Sequence, residues 1–274
     1  MPFDLRKHIP NQRFSISGQP MLYCSNSIIG VEKEVSKEID SILVGGFLPK
    51  YNPSHKKTYF ELKNSLFDVL TKSLPNLVTD GVSIDYMDND VIPNYKSILK
   101  DLQKSILSQI LTFPVESKST FIEEYVLPQM LTTVLMEKGY HGIAFPSTKE
   151  FNNITCSHQF SDYEINIALF VNYSSSENYD FKLLESLIYF TLDGSENLNY
   201  AVEDIIKEFD SIRTKIKSID SHNDLKIYLT TARLHIEYLE DSKINDIGYF
   251  DCKQGKLELE FFMTLADKIN NIIK

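Results

Sequence analysis

Tryptophan is absent from this chain of 274 residues, cysteine occurs only three times, and no uninterrupted apolar stretch approaches the length of a membrane helix. A spanning helix needs about 20 predominantly apolar residues, so none is expected. The opening MPFDLRKHIP has neither the apolar core nor the small-residue cleavage site of a secretory signal, and export is not expected. Cys24, Cys156 and Cys252 lie far apart, in no metal-binding spacing, which suits a reducing compartment better than a disulfide framework and points to the cytoplasm. Basic residues are outnumbered, 28 Lys and Arg against 38 Asp and Glu, and they are scattered. The net charge of −10 therefore lacks the basic footprint of a nucleic-acid or membrane-surface partner. Signature motifs are missing too: no Walker-type phosphate loop, dinucleotide glycine fingerprint, zinc-protease helix, nucleophile elbow or paired C-x-x-C occurs. The six histidines have no ligand spacing, and no metal is expected.

What is present is a chain 42% hydrophobic, enough for one large core or a core domain with an appendage. Gly18 and Pro20 supply turn chemistry before MLYCS, which reads as a short strand. Ser27 then caps a helix marked by Ile28, Val31, Val35 and Ile39, with Glu32 and Glu34 on different faces, and SILVGGFLP reads as a further strand. Apolar spacing predicts amphipathic helices over 55–75 (Phe60, Leu62, Leu66, Val69) and 93–112 (Ile98, Leu102, Ile106, Ile110). Another helix is expected over 119–138, broken or kinked at Pro128. GYHGIAFPSTKE gives a turn, a buried strand and a turn, and EINIALFVNY is the most strand-like stretch of all. After a linker-like NYSSSENYD, helices are predicted over 180–192, 197–218 and 222–240. At the end, Leu257, Phe261, Leu265 and Ile269 suit a helix, with a hairpin around Gln254-Gly255 as the alternative opening of that segment.

Three stretches in order carry a family resemblance: RFSISGQPMLYCSNSIIGVEKE, EYVLPQMLTTVLMEKGYHGIAFPST and NIALF. The first resembles the amino-terminal motif of the RES domain, an arginine, a Gly-x-Pro turn, a Leu-Tyr strand end and then a glutamate on the next helix. The second is similar to that family's Leu-Pro-Gln-x-Leu helix leading to a Gly-Ile strand that ends in Pro-Ser, and the third to its last core strand. The resemblance covers roughly residues 10 to 173. It places the family's arginine at Arg13, its tyrosine at Tyr23, its serine at Ser147 and its glutamate at Glu34, with Glu32 as the alternative acid. Two features depart from the family: Gln12-Arg13-Phe14 stands where Gly-Arg-Trp is frequent, and the chain is longer than a compact toxin.

The resemblance implies an α+β fold, with an ADP-ribosyltransferase-like mixed β core and surrounding helices over residues 1–174, a helical insertion at about 55–112, and a mainly helical region over 175–274. It implies NAD as substrate, broken at the nicotinamide–ribose bond by water or inorganic phosphate, or used to transfer ADP-ribose to a protein. An antitoxin or other regulatory protein is the implied partner, and the helical region is free to cover the core, form a homo-oligomer or receive that partner. The residue types suit such chemistry. The leaving nicotinamide already carries positive charge, so the site needs less a strong acid than a carboxylate for the oxocarbenium-like centre, the part Glu34 would take. A guanidinium grips a pyrophosphate bidentately, as Arg13 would; Tyr23 would wall the ring or ribose, and Ser147 and Asn166 would hydrogen-bond phosphate or ribose. Taken singly, Arg13 more often belongs to a solvated surface, Tyr23 to a core, Glu34 to a helix surface and Ser147 to a turn, and Gln129 and Asn166 equally suit the satisfaction of backbone groups, while Thr148 and Lys149 sit where a phosphate could be touched. A RES fold kept as a non-catalytic sensing or interaction module is the remaining reading.

Overall fold

A computed structural model describes residues 2–50, 58–62, 91–113, 115, 122–147, 154–155, 165–192, 201–216 and 223–273. Its elements, in chain order, begin with strand β1 (Met21–Ser25), helix α1 (Ile28–Val35), and strands β2 (Gly45–Pro49) and β3 (Tyr59–Glu61). Helices α2 (Val91–Leu111) and α3 (Val126–Glu137) follow, then β4 (Gly142–Pro146), β5 (Ile154–Thr155) and β6 (Ile165–Phe170). The remainder is α4 (Phe181–Glu185), β7 (Leu187–Thr191), α5 (Val202–Ile216), α6 (Asn223–Glu240), β8 (Lys243–Ile244), β9 (Ile247–Gly248) and α7 (Lys253–Ile272). The protein is mixed α+β. Among the described residues no helix is long and apolar enough to cross a membrane. The chain forms two compact units, neither contiguous in sequence: 1–25, 57–149 and 161–180 make the first, and 26–56, 150–160 and 181–274 the second.

The first unit is built on a sheet ordered β1-β6-β4-β3, antiparallel except for the β3–β4 pair. Gly18 takes φ +82° in the turn before β1, a left-handed conformation that costs a glycine little, and its amide donates to the Ile9 carbonyl. Paired residues share a sheet face, so Tyr23, Ala168, Ile143 and Phe60 line up across the strands. That face carries the core, where Phe14, Leu111, Leu135, Phe145 and Phe170 join Ile143 and Ala168.

Helix α3 is not broken at Pro128. It begins at Val126, so Pro128 occupies the first turn, where the missing N–H has no intrahelical partner to lose. A Schellman arrangement ends it: Gly139, at φ +77°, donates to Met136 O and Tyr140 donates to Leu135 O, turning the chain into β4.

The expected helix over 55–75 fails where the chain is described. Tyr59 and Glu61 are exposed, Phe60 is half-buried and Leu62 buried, a two-residue alternation that belongs to β3 and the residue after it. Phe60 and Leu62 fit both periods, and pairing with Ile143 and Ala144 selects the strand. Residues 63–75 lie outside the described residues. The helix over 93–112 is observed as α2.

In the second unit, the buried stripe Ile205, Phe209, Ile212 and Ile216 of α5 meets Leu229, Ala232, Ile236 and Leu239 of α6 and Leu265, Ala266 and Ile269 of α7. This three-helix core joins a β2–β7 pair and a β5-β8-β9 sheet. Ser27 caps α1, its Oγ accepting from the Gly30 amide at 2.9 Å. The helix expected over 180–192 is only α4; Ser186 donates to Lys182 O and Leu183 O as the helix closes, and the β-favouring Leu187–Thr191 pairs with β2 instead. Gly46 makes that pairing fit, since a Cβ there would lie 2.3 Å from the Phe190 ring opposite. No hairpin forms at Gln254-Gly255; the turn lies at Asn245 and Asp246, both at positive φ as a primed hairpin turn requires, and α7 starts at Lys253.

Candidate functional site

Arg13 sits at the tip of a tight turn closed by two backbone bonds, Gln12 N to Ser15 O at 2.9 Å and Ser15 N to Gln12 O at 3.2 Å. The turn sends Phe14 into the core, fully buried and 4.6 Å from the Phe145 ring. Arg13 points the other way. Its Nη1 donates to Leu111 O at 3.1 Å and Phe113 O at 3.0 Å, satisfying carbonyls at the end of α2, and its Cζ lies 5.3 Å over the Tyr125 ring.

Two further side chains hold the turn. Tyr23 reaches from β1, and its Oη accepts from the Phe14 amide at 3.3 Å. Burial pushes its phenol above the usual tyrosine range, so it stays neutral at physiological pH. Gln129 reaches from the first turn of α3, and its Nε2 donates to Gln12 O at 2.9 Å, Asn11 Oδ1 at 3.1 Å and Ser15 O at 3.2 Å. Gln129→Leu is expected to leave those acceptors short of donors and to cost about 1–3 kcal/mol, read as a lower urea midpoint with an unchanged m-value.

At one end of the same sheet stand two further candidate residues of the first unit. Asn166, 3% exposed on β6, pairs with Ser25 at the end of β1 on one side and Phe145 of β4 on the other. Ser147, half-buried, follows β4 directly. Ser25 was not anticipated from the sequence, yet it lies two residues beyond Tyr23 on the same strand face. Arg13, Tyr23, Asn166 and Ser147 all belong to the first unit.

The two candidate acids belong to the second unit and differ from each other. Glu32 is engaged by both oxygens: Oε1 accepts from the Ile39 amide and Oε2 from Gln254 Nε2, each at 2.9 Å. Glu34 is exposed on α1. Thr148 and Lys149 lie outside the described residues. Cys24 is a free thiol on β1 whose burial pushes it up to about 11, out of the reactive range.

No protein-family model, curated protein or solved structure matches this chain.

Residue roles therefore come from chemistry and position. The turn at 12–15 is fixed from β1 through Tyr23 and from α3 through Gln129, while Arg13 ties it to the end of α2. A guanidinium so mounted keeps its place without a ligand, the condition under which an anion is bound with little ordering cost.

Proposed function

We propose that the chain is a RES-type enzyme on an ADP-ribosyltransferase-like fold that binds NAD and breaks its nicotinamide–ribose bond. The observation that carries this reading is the presence, within one α+β unit, of Arg13 on its fixed turn, Tyr23, Asn166 at the sheet end and Ser147 just past β4, in the order the sequence resemblance anticipates. In the reaction, the bond between C1′ of the ribose and the pyridinium nitrogen breaks, and its electron pair leaves with nicotinamide, which becomes neutral. Water then adds to the oxocarbenium carbon and loses a proton, giving ADP-ribose; inorganic phosphate in its place gives the 1-phosphate. Arg13 grips the pyrophosphate, Tyr23 and Ser147 border the ribose, and Asn166 orients Ser147's end of the sheet. Glu34 is assigned the stabilising carboxylate on the resemblance alone. Unrestrained, such an enzyme depletes cellular NAD, which gives an antitoxin or regulatory partner its purpose.

The acceptor separates two forms of this reading. If ADP-ribose passes to a protein, mass spectrometry of co-incubated proteins shows the adduct; loss of NAD without any adduct assigns the acceptor to water or phosphate.

A non-catalytic module is favoured by one observation, the use of Arg13 Nη1 on the protein's own carbonyls. The two readings diverge in Arg13→Lys. A lysine keeps the charge but loses the planar fork, so the catalytic reading expects a KM for NAD raised about 10-fold or more, from a lost bidentate contact of about 1.5–3 kcal/mol. The module reading expects a lower melting temperature and no NAD turnover in either protein.

A further inference from the structure

The second unit contains a buried polar cluster that the NAD reading does not use. Glu258, 2% exposed on α7, accepts at Oε2 from the Ile28 amide at 2.8 Å and from Tyr249 Oη at 3.2 Å, while its Oε1 lies 4.0 Å from Nε2 of His235 on α6. Tyr249 is fully buried in a single 3-10 turn, and His235 is walled by the rings of Phe262 and Tyr238. His235 Nε2 is buried with no hydrogen-bond partner among the described residues. The Ile28 amide opens α1, so the carboxylate occupies the positive end of that helix.

Several other charged groups on the surrounding elements have partners of their own. On α1, Glu32 accepts from Ile39 and Gln254; on α6, Arg233 pairs with Glu237 and with Asp210 of α5 at half-exposed positions; Glu208 of α5 accepts from Asn270. Asp251, in the turn that holds Tyr249, is exposed. Glu260 lies about 200° around α7 from Glu258 at 100° per residue.

We propose that Glu258 and His235 form a proton-operated latch on the start of α1. When ionised, Glu258 holds the Ile28 amide and the Tyr249 hydroxyl by charge-assisted bonds on one oxygen. When protonated, it keeps only neutral bonds there, and the proton on Oε1 turns to Nε2 of His235, a gap that closes to hydrogen-bond length on a movement of about 1 Å. Burial, nearly complete for Glu258 and substantial for His235, supports the switch lying in an accessible range: it pushes Glu258 up to about 7 and His235 down to about 4, so the imidazole is a neutral acceptor while the carboxyl titrates. The latch rests on contacts inside the second unit and stands or falls apart from NAD cleavage.

The test is the Ile28 amide signal of the full chain in proton–nitrogen NMR spectra between pH 5 and 9. The expected result is a downfield step as pH rises, with its midpoint near the Glu258 value of about 7. Glu258→Gln removes the step, and His235→Phe, by withdrawing the acceptor of the protonated form, moves the midpoint at least half a pH unit lower. Should Glu258→Gln not fold, the carboxyl carbon of Glu258 in the wild-type protein is followed instead and shares the Ile28 midpoint. An Ile28 amide that does not step, a step kept in Glu258→Gln, or a Glu258 carboxyl that titrates below pH 5 overturns the latch.

Discussion

Glu34→Gln is expected to slow nicotinamide release from NAD by about 10²-fold or more while leaving the fold intact. Substitution keeps the shape of the side chain and removes the charge that stabilises the oxocarbenium-like centre; losing one such interaction in a catalytic site typically costs about 10²–10³ in kcat. The effect belongs in kcat rather than KM, because ground-state NAD carries no developing charge at the ribose carbon for the carboxylate to meet. Glu34 is exposed on α1, and urea unfolding of the variant beside its rate separates lost chemistry from lost stability. Glu32→Gln is the control. Its carboxylate bonds Ile39 and Gln254, so the variant loses stability and keeps its rate per folded molecule. Equal rate losses in the two variants contradict the assignment of Glu34.

The second large effect is a pair of opposite pH slopes hidden in the wild-type protein. Burial raises Glu258 from 4.5 to about 7. Its contribution to stability is therefore fully present below about pH 4.5 and is lost as pH rises through 7, a change of about 3 kcal/mol at 1.36 kcal/mol per pH unit. His235 is lowered from 6.5 to about 4, and its contribution is present above 6.5 and lost as pH falls through 4, by a similar amount. Between about pH 4.5 and 6.5 the two slopes cancel. Urea unfolding of Glu258→Gln is expected to gain stability relative to wild type as pH rises from 4.5 to 7, and His235→Gln to gain it as pH falls from 6.5 to 4. Differences from wild type that stay flat with pH contradict the burial of the pair.

A tight backbone approach supports this cluster. A Cβ at Gly255 would lie 2.0 Å from Tyr249 O and 2.6 Å from the Phe250 Cα, both backbone atoms that no side-chain rotation can clear. Gly255→Ala is expected to cost at least about 1–3 kcal/mol, seen as a lower thermal midpoint, and to weaken the Tyr249–Glu258 bond by pushing α7 from the turn before it.

The parts of the fold that could be read from the sequence are those whose local signal and tertiary setting agree. Gly18 and Pro20 before β1, Ser27 before α1 and the apolar steps of α2 and α5 each had one meaning. Phe60 and Leu62 had two, and Leu187–Thr191 followed an apolar helical start so closely that its strand character was absorbed into it; in both places pairing with a distant strand decided the outcome. Sequence could not show that residues 26–56 belong to the second unit, because no composition change marks the crossing after Ser25. Arg13, Tyr23, Ser147 and Asn166 are proposed from the order of three sequence blocks, but the partners of Arg13 and Gln129 include backbone atoms of other elements and leave no trace in residue type. Glu258 did leave one. It heads the stripe Glu258, Phe262, Leu265 and Ile269 at helical spacing, and a lone acid on an otherwise apolar stripe must be buried with partners.

The most direct test of the central claim is nicotinamide release by the purified full chain incubated with NAD, with and without inorganic phosphate, each run beside Arg13→Ala and Glu34→Gln whose folding has been checked by circular dichroism. NAD cleavage predicts saturable release by the wild-type protein that falls in both variants, with a phosphate dependence that names the acceptor. Saturable NAD binding without release, or release that both folded variants retain, contradicts it.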